Sequence, residues 1–225
     1  MSTFDSRYGL VVEVEADTER LVMRSSPDPD ALFQAEVSQQ LAKLGIGPDI
    51  REVIATKSGV WTVAARILPG YTLKNRPVPV EQLAAALRPL RDQPASAHLP
   101  TLTAWLSSRL TATEDVDMPS GRTTAPEAER QHAAALLSEL AEQPPQTLCH
   151  GDTSSKNILM GPAGKLYLID PRGLSGDIAY DVAVAAWKTT SDDPLQDRAA
   201  ELARLVGVDT ERVQAWLVVA EAARV

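Results

Sequence analysis

One stretch, residues 149–170, limits the possible folds of this chain more than any other part of it. It contains two short apolar runs on either side of the sequence Gly-Pro-Ala-Gly at 161–164, and the second run ends on Asp170. Gly and Pro between runs rich in Ile, Leu and Tyr predict a β-hairpin. If the residues that flank this turn face each other, Asn157 lies opposite Leu168, and at roughly 3.3 Å per strand residue its side chain is within about 7 Å of Asp170. One metal ion would then reach both side chains.

The polar residues ahead of the hairpin have a spacing with a chemical use. Four residues separate Asp152 from Asn157. This is the catalytic-loop spacing of protein-kinase-type phosphoryl-transfer enzymes, in which the Asp accepts the proton of the attacking hydroxyl and the Asn holds Mg²⁺. A later Asp at a strand end holds the metal against the nucleotide phosphates, and hard oxygen ligands suit that ion. The pattern therefore predicts a catalytic Asp152 with Asn157 and Asp170 as metal ligands, whereas each residue taken alone would be a turn residue.

Residues 150–181 resemble the aminoglycoside phosphotransferase family, in which His-Gly-Asp stands where protein kinases have His-Arg-Asp. The sequence that starts at Asp170, Asp-Pro-Arg-Gly-Leu-Ser-Gly-Asp-Ile-Ala-Tyr-Asp, is similar to that family's Ile-Asp-Pro, Gly-Asp and Tyr-Asp run and is closest to the streptomycin-phosphorylating subgroup. The resemblance implies a two-lobed, protein-kinase-like α+β fold, with a small antiparallel-sheet lobe over 1–68 and a larger helical lobe over 69–225. It also implies ATP and Mg²⁺ as cofactors and a small hydroxylated molecule as the phosphoryl acceptor.

Further residues of the motif receive supporting roles from the resemblance. His150 is expected to hold the loop through hydrogen bonds. Asp177 and Asp181, four residues apart on a helix, are expected to form a structural pair in which Asp177 caps the helix and bonds the catalytic-loop backbone. Lys156 would lie beside the transferring phosphate, with a solvent-exposed lysine as the alternative, and the role of Arg172 is left open.

Alternating apolar and polar residues at 8–16 and 19–25 predict an antiparallel hairpin near the start of the chain. By the resemblance these are the second and third strands of the small lobe. The first strand and the glycine-rich phosphate loop would then lie within 1–7, which contain no glycine. The expectation is therefore that the opening strand and the loop are missing, or that the sequence begins inside that strand.

A helix is predicted over 31–44, with Asp30 as its N-cap. The resemblance implies that Glu36 on this helix pairs with Arg24 on the preceding strand and that both belong to the nucleotide site. An arginine can bind a carboxylate or a phosphate through its planar fork. The alternative is that Arg24 is a solvated strand-end charge and Glu36 a helix-surface acid.

Two more strands are predicted at 50–56 and 60–68, and Pro-Gly at 69–70 ends the second of them. The linker between the lobes passes the adenine edge in the resembled family, whose backbone groups bind it there. This implies nucleotide contacts from Arg66, Ile67 and Leu68.

The remainder of the chain is predicted to be mostly helical, because Leu and Ala recur in it at helical spacing. A polar loop that could contact the substrate is predicted at 111–125, and Thr210 is predicted to cap the last helix. The predicted helices cover 80–90, 102–110, 126–142, 180–187, 197–206 and 210–223.

Composition excludes several classes of function. A net charge of −8 and a pI near 4.9 argue against binding to nucleic acid. The sequence has no stretch of eighteen apolar residues that could span a membrane. It also does not begin with basic residues followed by an apolar run, as a signal peptide does. These features predict a cytoplasmic protein without a membrane partner. The single cysteine, Cys149, is predicted to be a buried, inert thiol. The oligomeric state is left open.

The acceptor favoured by the resemblance is an aminoglycoside such as streptomycin, and the acidic net charge is compatible with a polycationic substrate. Sugar, choline or homoserine kinases of the same superfamily are the alternative within this chemistry. From a different class, a nucleotide-binding pseudokinase or an inactive fragment is the second alternative, supported by Arg24 and by the absence of a glycine-rich loop.

Overall fold

The computed structural model describes residues 2–4, 9–16, 19–112, 123–142 and 147–225. Strands dominate the first third of the chain and helices the rest. The strands are β1 (Ser2–Phe4), β2 (Leu10–Ala16), β3 (Glu19–Ser26), β4 (Ile50–Thr56), β5 (Gly59–Ala65), β6 (Tyr71–Thr72), β7 (Thr147–Cys149), β8 (Ile158–Met160), β9 (Leu166–Leu168) and β10 (Leu174–Gly176). The α-helices are α1 (Ala31–Lys43), α2 (Val80–Leu87), α3 (Leu102–Thr111), α4 (Glu127–Ala141), α5 (Ile178–Lys188), α6 (Leu195–Val206) and α7 (Thr210–Ala222).

The N-terminal sheet is antiparallel and has the order β1-β2-β3-β5-β4. The edge strand β1 places Ser2 opposite Glu13 and Phe4 opposite Val11. A short strand therefore precedes β2, which differs from the expectation that no such strand is present, whereas the missing glycine-rich loop and a start inside the strand stay predictions. Three residues are too few to show an alternating pattern, so this strand is specified by its pairing with β2 and not by its own sequence.

Helix α1 packs on this sheet through Ala31 and Ala35, which contact Val60 of β5. Asp30 occupies the N-cap position but makes no capping hydrogen bond with its side chain. Its own backbone N–H instead donates to the Asp28 carboxylate over 2.8 Å. Asp30 is therefore the cap by position, as predicted, but its side chain does not cap the helix, and the Asp28 carboxylate closes the turn before it.

Two other helix ends differ from the predicted ones for local reasons. Helix α2 ends at Leu87 and continues as a 3₁₀ turn to Leu90, because Pro89 has no N–H for an α-helical bond. Asp209, and not Thr210, caps α7, because Asp209 has the extended backbone of a cap and its carboxylate accepts the N–H of Arg212 over 2.7 Å.

The core of the helical part is built around α5, which is buried from Ile178 to Ala186. A helix that is apolar on all sides is expected at the centre of its domain, and α5 packs against α6 and α7. Tyr180 meets Trp216 of α7 edge to face, with ring centroids 5.6 Å apart. This packing gives the residues before α5 a rigid support.

The predicted β8–β9 hairpin forms, with a register one residue away from the predicted one. Gly161 donates its N–H to the carbonyl of Lys165 over 2.8 Å, so these two residues face each other and the three between them form one turn of 3₁₀ helix. Asn157 consequently lies opposite Ile169 and not Leu168, and its carbonyl accepts the Ile169 N–H over 2.9 Å. The shift brings Asn157 one residue closer to Asp170.

Part of the predicted polar loop at 111–125 lies outside the described residues, since 113–122 are not among them. Across the part of the chain that is described, no helix has both the length and the apolar character that a membrane crossing needs.

Candidate active site

The loop that carries Asp152 is attached to the first turn of α5. The Asp181 carboxylate accepts the backbone N–H of His150 over 2.8 Å and that of Gly151 over 2.9 Å. Thr153 donates its hydroxyl to the Asp181 carbonyl over 2.6 Å. Burial raises the pKa of the Asp181 carboxyl, although the two N–H bonds favour its ionised form. The predicted bond from Asp177 to this loop is therefore wrong, because Asp181 makes it.

Asp177 serves the start of α5 instead. One carboxylate oxygen accepts the Ala179 N–H over 2.9 Å, which is the predicted helix cap. The other oxygen accepts the indole N–H of Trp216 over 2.7 Å and binds the guanidinium of Arg212. Asp177 thus joins α5 to α7.

His150 is fully buried and connects the loop to the strand that precedes Asp170. Its Nδ1 accepts the N–H of Asp152 over 3.2 Å, so the ring proton is assigned to Nε2. Nε2 lies 3.0 Å from the carbonyl of Ile169 and donates to it. The imidazole therefore holds the Asp152 loop and the Asp170 strand end at a fixed separation.

The Asp152 carboxylate lies in a positively charged environment. Burial opposes its ionisation, but the charges of Lys156, Arg172 and Lys188 outweigh this and lower the pKa of Asp152 below its ordinary value of 3.8. Lys156 Nζ lies 3.9 Å from Asp152 Oδ2. The lowered pKa means that the carboxylate is ionised near neutral pH. The side chain is 17% exposed, so it is still reachable from solvent.

Asn157 and Asp170 lie at the base of the hairpin, where Asn157 pairs with Ile169, the residue before Asp170. Asn157 Nδ2 donates to the Asp152 carbonyl over 3.0 Å, so this bond does not use its Oδ1, which is an acceptor or a possible ligand. Asp170 has a left-handed backbone, with φ of 58°, and an exposed carboxylate. Arg24 Nη2 lies 2.5 Å from Asp170 Oδ1. The arginine of β3 thus reaches across to the strand end that carries the predicted metal ligand.

The predicted pair between Arg24 and Glu36 is wrong. Arg24 contacts Gln34 instead, whose Oε1 accepts its Nη1 over 3.3 Å. Two residues along a helix are about 200° apart, so Glu36 faces away from Gln34 and the sheet. Its carboxylate accepts the Ser96 hydroxyl over 2.5 Å and lies 2.6 Å from His98 Nε2. Burial opposes the ionisation of Glu36, but these two hydrogen bonds lower its pKa.

Sequence reasoning missed Gln34, although the signal was available. Gln34 lies next to Ala35 and one helical turn from Ala31, both buried against the sheet, and is itself 9% exposed. The phase of the apolar positions on α1 therefore identifies it as the polar residue that faces Arg24.

The three predicted adenine-contacting residues lie in the linker after β5. Arg66 donates through Nη1 to the Ile67 carbonyl over 2.6 Å, and Leu68 is exposed. Gly70 donates its N–H to the Met160 carbonyl of β8 over 2.9 Å. The linker is therefore fastened to the hairpin that precedes Asp170.

Gly173 is the point at which α1 touches the segment after Asp170. A Cβ at this position would lie 2.5 Å from the carbonyl carbon of Phe33 and 2.6 Å from the backbone N of Gln34. Its φ of +76° is also strained for any other residue. A glycine is thus required for the close approach that brings the Gln34 end of α1 to the site.

We expect Gly173→Ala to lower the free energy of unfolding by about 2–4 kcal/mol, because it adds a backbone collision to the strain of a positive φ. Urea denaturation followed by circular dichroism measures the loss. Gly164→Ala is the matched control, since Gly164 has φ of +78° but its nearest atom, Gln82 Nε2, is 3.8 Å from the added Cβ. Equal losses in the two variants would contradict the proposed close approach.

The donor set at the base of the hairpin fits Mg²⁺. Among the residues described, no cluster of three His, Cys, Asp or Glu side chains could hold a metal. Asn157 and Asp170 nevertheless supply two hard oxygens at neighbouring positions of one hairpin, and Mg²⁺ is commonly held by one or two such ligands together with substrate phosphates and water.

Comparison with known proteins gives a family and a fold. The sequence matches the family described as "Phosphotransferase enzyme family" over residues 4–216. A curated relative, the hydroxyurea phosphotransferase of Kitasatospora aureofaciens, is 34% identical over 83 residues, which are 37% of this chain. The match spans only 24% of that relative's length.

Solved structures extend the similarity over the whole fold. A choline/ethanolamine kinase family protein from Mesorhizobium loti superposes with a TM-score of 0.71 at 20% identity, over 99% of this chain and 76% of that one. An aminoglycoside-3'-phosphotransferase of type VIII superposes with a TM-score of 0.62 at 19% identity, over 98% of this chain and 91% of that one. The predicted α+β, protein-kinase-like fold is confirmed, whereas the lobe boundary at residue 68 stays a prediction.

Proposed function

Because this chain belongs to the phosphotransferase enzyme family, we propose that it transfers the terminal phosphoryl group of ATP to a hydroxyl of a small molecule, with Mg²⁺ as the metal cofactor. One observation carries the proposal. Asp152, Asn157 and Asp170 belong to a single hydrogen-bonded unit, in which Asn157 bonds the Asp152 carbonyl and also pairs with the residue before Asp170.

In this proposal Asp152 orients the acceptor hydroxyl and takes its proton as the phosphoryl group moves. Its ionised state near neutral pH suits an acceptor of protons, and its lowered pKa makes it a weak base. Weak basicity is adequate, because the transition state of phosphoryl transfer is loose and positioning contributes most of the catalysis. His150 and Asp181 fix the loop, so they act on the reaction by holding Asp152 in place.

Asn157 Oδ1 and the Asp170 carboxylate are the proposed metal ligands. When bound, Mg²⁺ supplies positive charge to the nucleotide phosphates. Arg24 contacts Oδ1 of Asp170, so Oδ2 is the proposed ligand atom, and the guanidinium beside it is proposed to bind a phosphate oxygen. The linker residues Arg66, Ile67 and Leu68 are proposed to border the adenine.

Two acceptors are proposed for different reasons. The motif that starts at Asp170 supports an aminoglycoside such as streptomycin. The 34% identity to a hydroxyurea phosphotransferase supports hydroxyurea, a small neutral molecule with one hydroxyl. A small-metabolite kinase is the broader alternative.

The proposal is tested by ATP turnover in a coupled assay with streptomycin, hydroxyurea, choline and homoserine as acceptors. We expect Mg²⁺-dependent ADP release that rises at least tenfold with one of them, and a phosphorylated product detectable by mass spectrometry. Nucleotide binding without turnover on any acceptor would favour the pseudokinase alternative. Absence of nucleotide binding in calorimetry would favour an inactive protein.

Asp170→Asn is expected to raise the Mg²⁺ concentration for half-maximal turnover at least about tenfold, because an amide is a weaker ligand than a carboxylate. A Mg²⁺ titration at saturating ATP measures this change. Asp92→Asn serves as the control, since Asp92 is exposed and its one ion pair within the described part of the chain is with its neighbour Arg91. An unchanged Mg²⁺ requirement in Asp170→Asn would remove Asp170 from the metal site.

A further inference from the structure

The side chain of Arg172 lies directly beside the proposed catalytic loop. Its backbone N–H donates to the His150 carbonyl over 2.8 Å, which fixes its position relative to Asp152. A Cβ on Gly151 would lie 3.0 Å from Arg172 Cβ, so the arginine side chain passes across Gly151, the neighbour of Asp152.

An aromatic ring, and not a carboxylate, holds the Arg172 guanidinium. Arg172 Cζ lies 4.6 Å from the ring centroid of Trp105 on α3. No Asp or Glu oxygen of the described residues lies within 4 Å of its nitrogens, and its buried Nε has no hydrogen-bond partner among them. A guanidinium that lies over a ring keeps the N–H groups at its edge as donors. Arg172 is thus held over the Trp105 ring, and its buried Nε–H has no acceptor among the described residues.

Two lysines add positive charge near Asp152. Lys156 Nζ is 3.9 Å from its carboxylate, and the charge of Lys188 acts on the same group. The nearby carboxylates are already engaged: Asp181 accepts the loop N–H groups, and Asp177 binds Arg212 and Trp216. A ligand that approaches Asp152 along these residues meets cations.

We infer that Arg172 is an acceptor-binding residue, and that the acceptor is a small neutral or anionic hydroxyl compound with a carbonyl, carboxylate or phosphate oxygen near its hydroxyl. This inference rests on the proposed function. The stacked fork donates to that oxygen while Asp152 receives the hydroxyl proton. A polycationic acceptor would instead bring like charges together at this position, which lowers its affinity.

The first test ranks acceptors by charge. The panel contains glucuronate, glucose and glucosamine, which share a ring and differ in charge, with hydroxyurea as a small neutral compound and streptomycin as the polycation. We expect the highest kcat/KM among the neutral and anionic members. If streptomycin is the best substrate, the inference is overturned while the proposed function stands. If nothing in this panel or among the acceptors above is phosphorylated, the proposed function fails and the inference falls with it.

The second test uses Arg172→Gln with the best acceptor of the panel. We expect KM for that acceptor to rise about 10- to 100-fold, because bonds to a charged donor are lost, while KM for ATP stays within twofold. If Arg172 acted only through the effect of its charge on Asp152, the substitution would change kcat and leave KM for the acceptor unaltered. That result would overturn the inference. Arg204→Gln is the control, since Arg204 is exposed on α6 and pairs with Glu201.

Thermal denaturation shows whether Arg172→Gln folds. If it does not, Arg172→Lys is used in its place. The lysine retains the charge and the stem but has no planar fork. We expect KM for the acceptor to rise at least about fivefold in this folded variant. An unchanged KM would overturn the inference.

Discussion

Asp152→Asn is expected to lower kcat for phosphoryl transfer by about 10³- to 10⁴-fold and to leave the Kd for ATP within twofold. The amide has the same shape but accepts no proton and carries no charge. Because Lys156, Arg172 and Lys188 lower the pKa of Asp152, the wild-type group is a carboxylate at neutral pH, so the substitution removes a base and not a neutral acid. Steady-state kinetics and isothermal titration with a non-hydrolysable ATP analogue measure the two quantities.

The control for this variant is Asp193→Asn, at an exposed position with a local bond from Ser191, where kcat should stay within twofold of wild type. The loop itself should survive in Asp152→Asn, because its hydrogen bonds use the backbone of residue 152. An unaltered melting temperature checks this point. If Asp152→Asn keeps more than about a tenth of wild-type kcat, Asp152 is not the residue that orients and deprotonates the acceptor.

The sequence was sufficient to predict the loop and the hairpin, which hydrogen bonds join through Asn157. The Asp152 to Asn157 spacing and the Gly-Pro-Ala-Gly turn are local features, and local features determine local geometry. The hairpin register was predicted one residue away from the observed one, because the pairing of Gly161 with Lys165 depends on how the three turn residues fold. That shift did not separate Asn157 from Asp170.

The contacts of α1 were harder to predict, because they depend on the rotation of a helix against a sheet. The order of residues along the chain, compared with the resembled family, indicated Glu36 as the partner of Arg24. The rotation of α1 about its axis instead places Gln34 against Arg24. The partners of Glu36, Ser96 and His98, are about sixty residues away and have no local signature. Residue order along the chain predicted β3 and α1 correctly, but it gave the wrong partner for Arg24.

The positive surroundings of Asp152 could not be read from the net charge of −8. Lys156 lies four residues from Asp152 on the same loop, but Arg172 is brought there by its backbone bond to His150, and Lys188 lies at the end of α5. The net charge of a whole chain affects how charged ligands are attracted from a distance. The charges close to a site decide which ligand binds there. The acidic composition therefore gives weak support to a polycationic acceptor.

The second large effect is expected in stability, from Asp177→Ala. Asp177 is 4% exposed and accepts from the α5 backbone, from the Trp216 indole and from Arg212. We expect the free energy of unfolding in urea to fall by about 3–5 kcal/mol, because a buried charge partner is removed and buried donors lose their acceptor. Asp209→Ala is the matched control and should cost about 1 kcal/mol, since Asp209 is exposed and its side-chain bond among the described residues is the cap of α7. A loss in Asp177→Ala no larger than in this control would show that the junction between α5 and α7 contributes nothing beyond a helix cap.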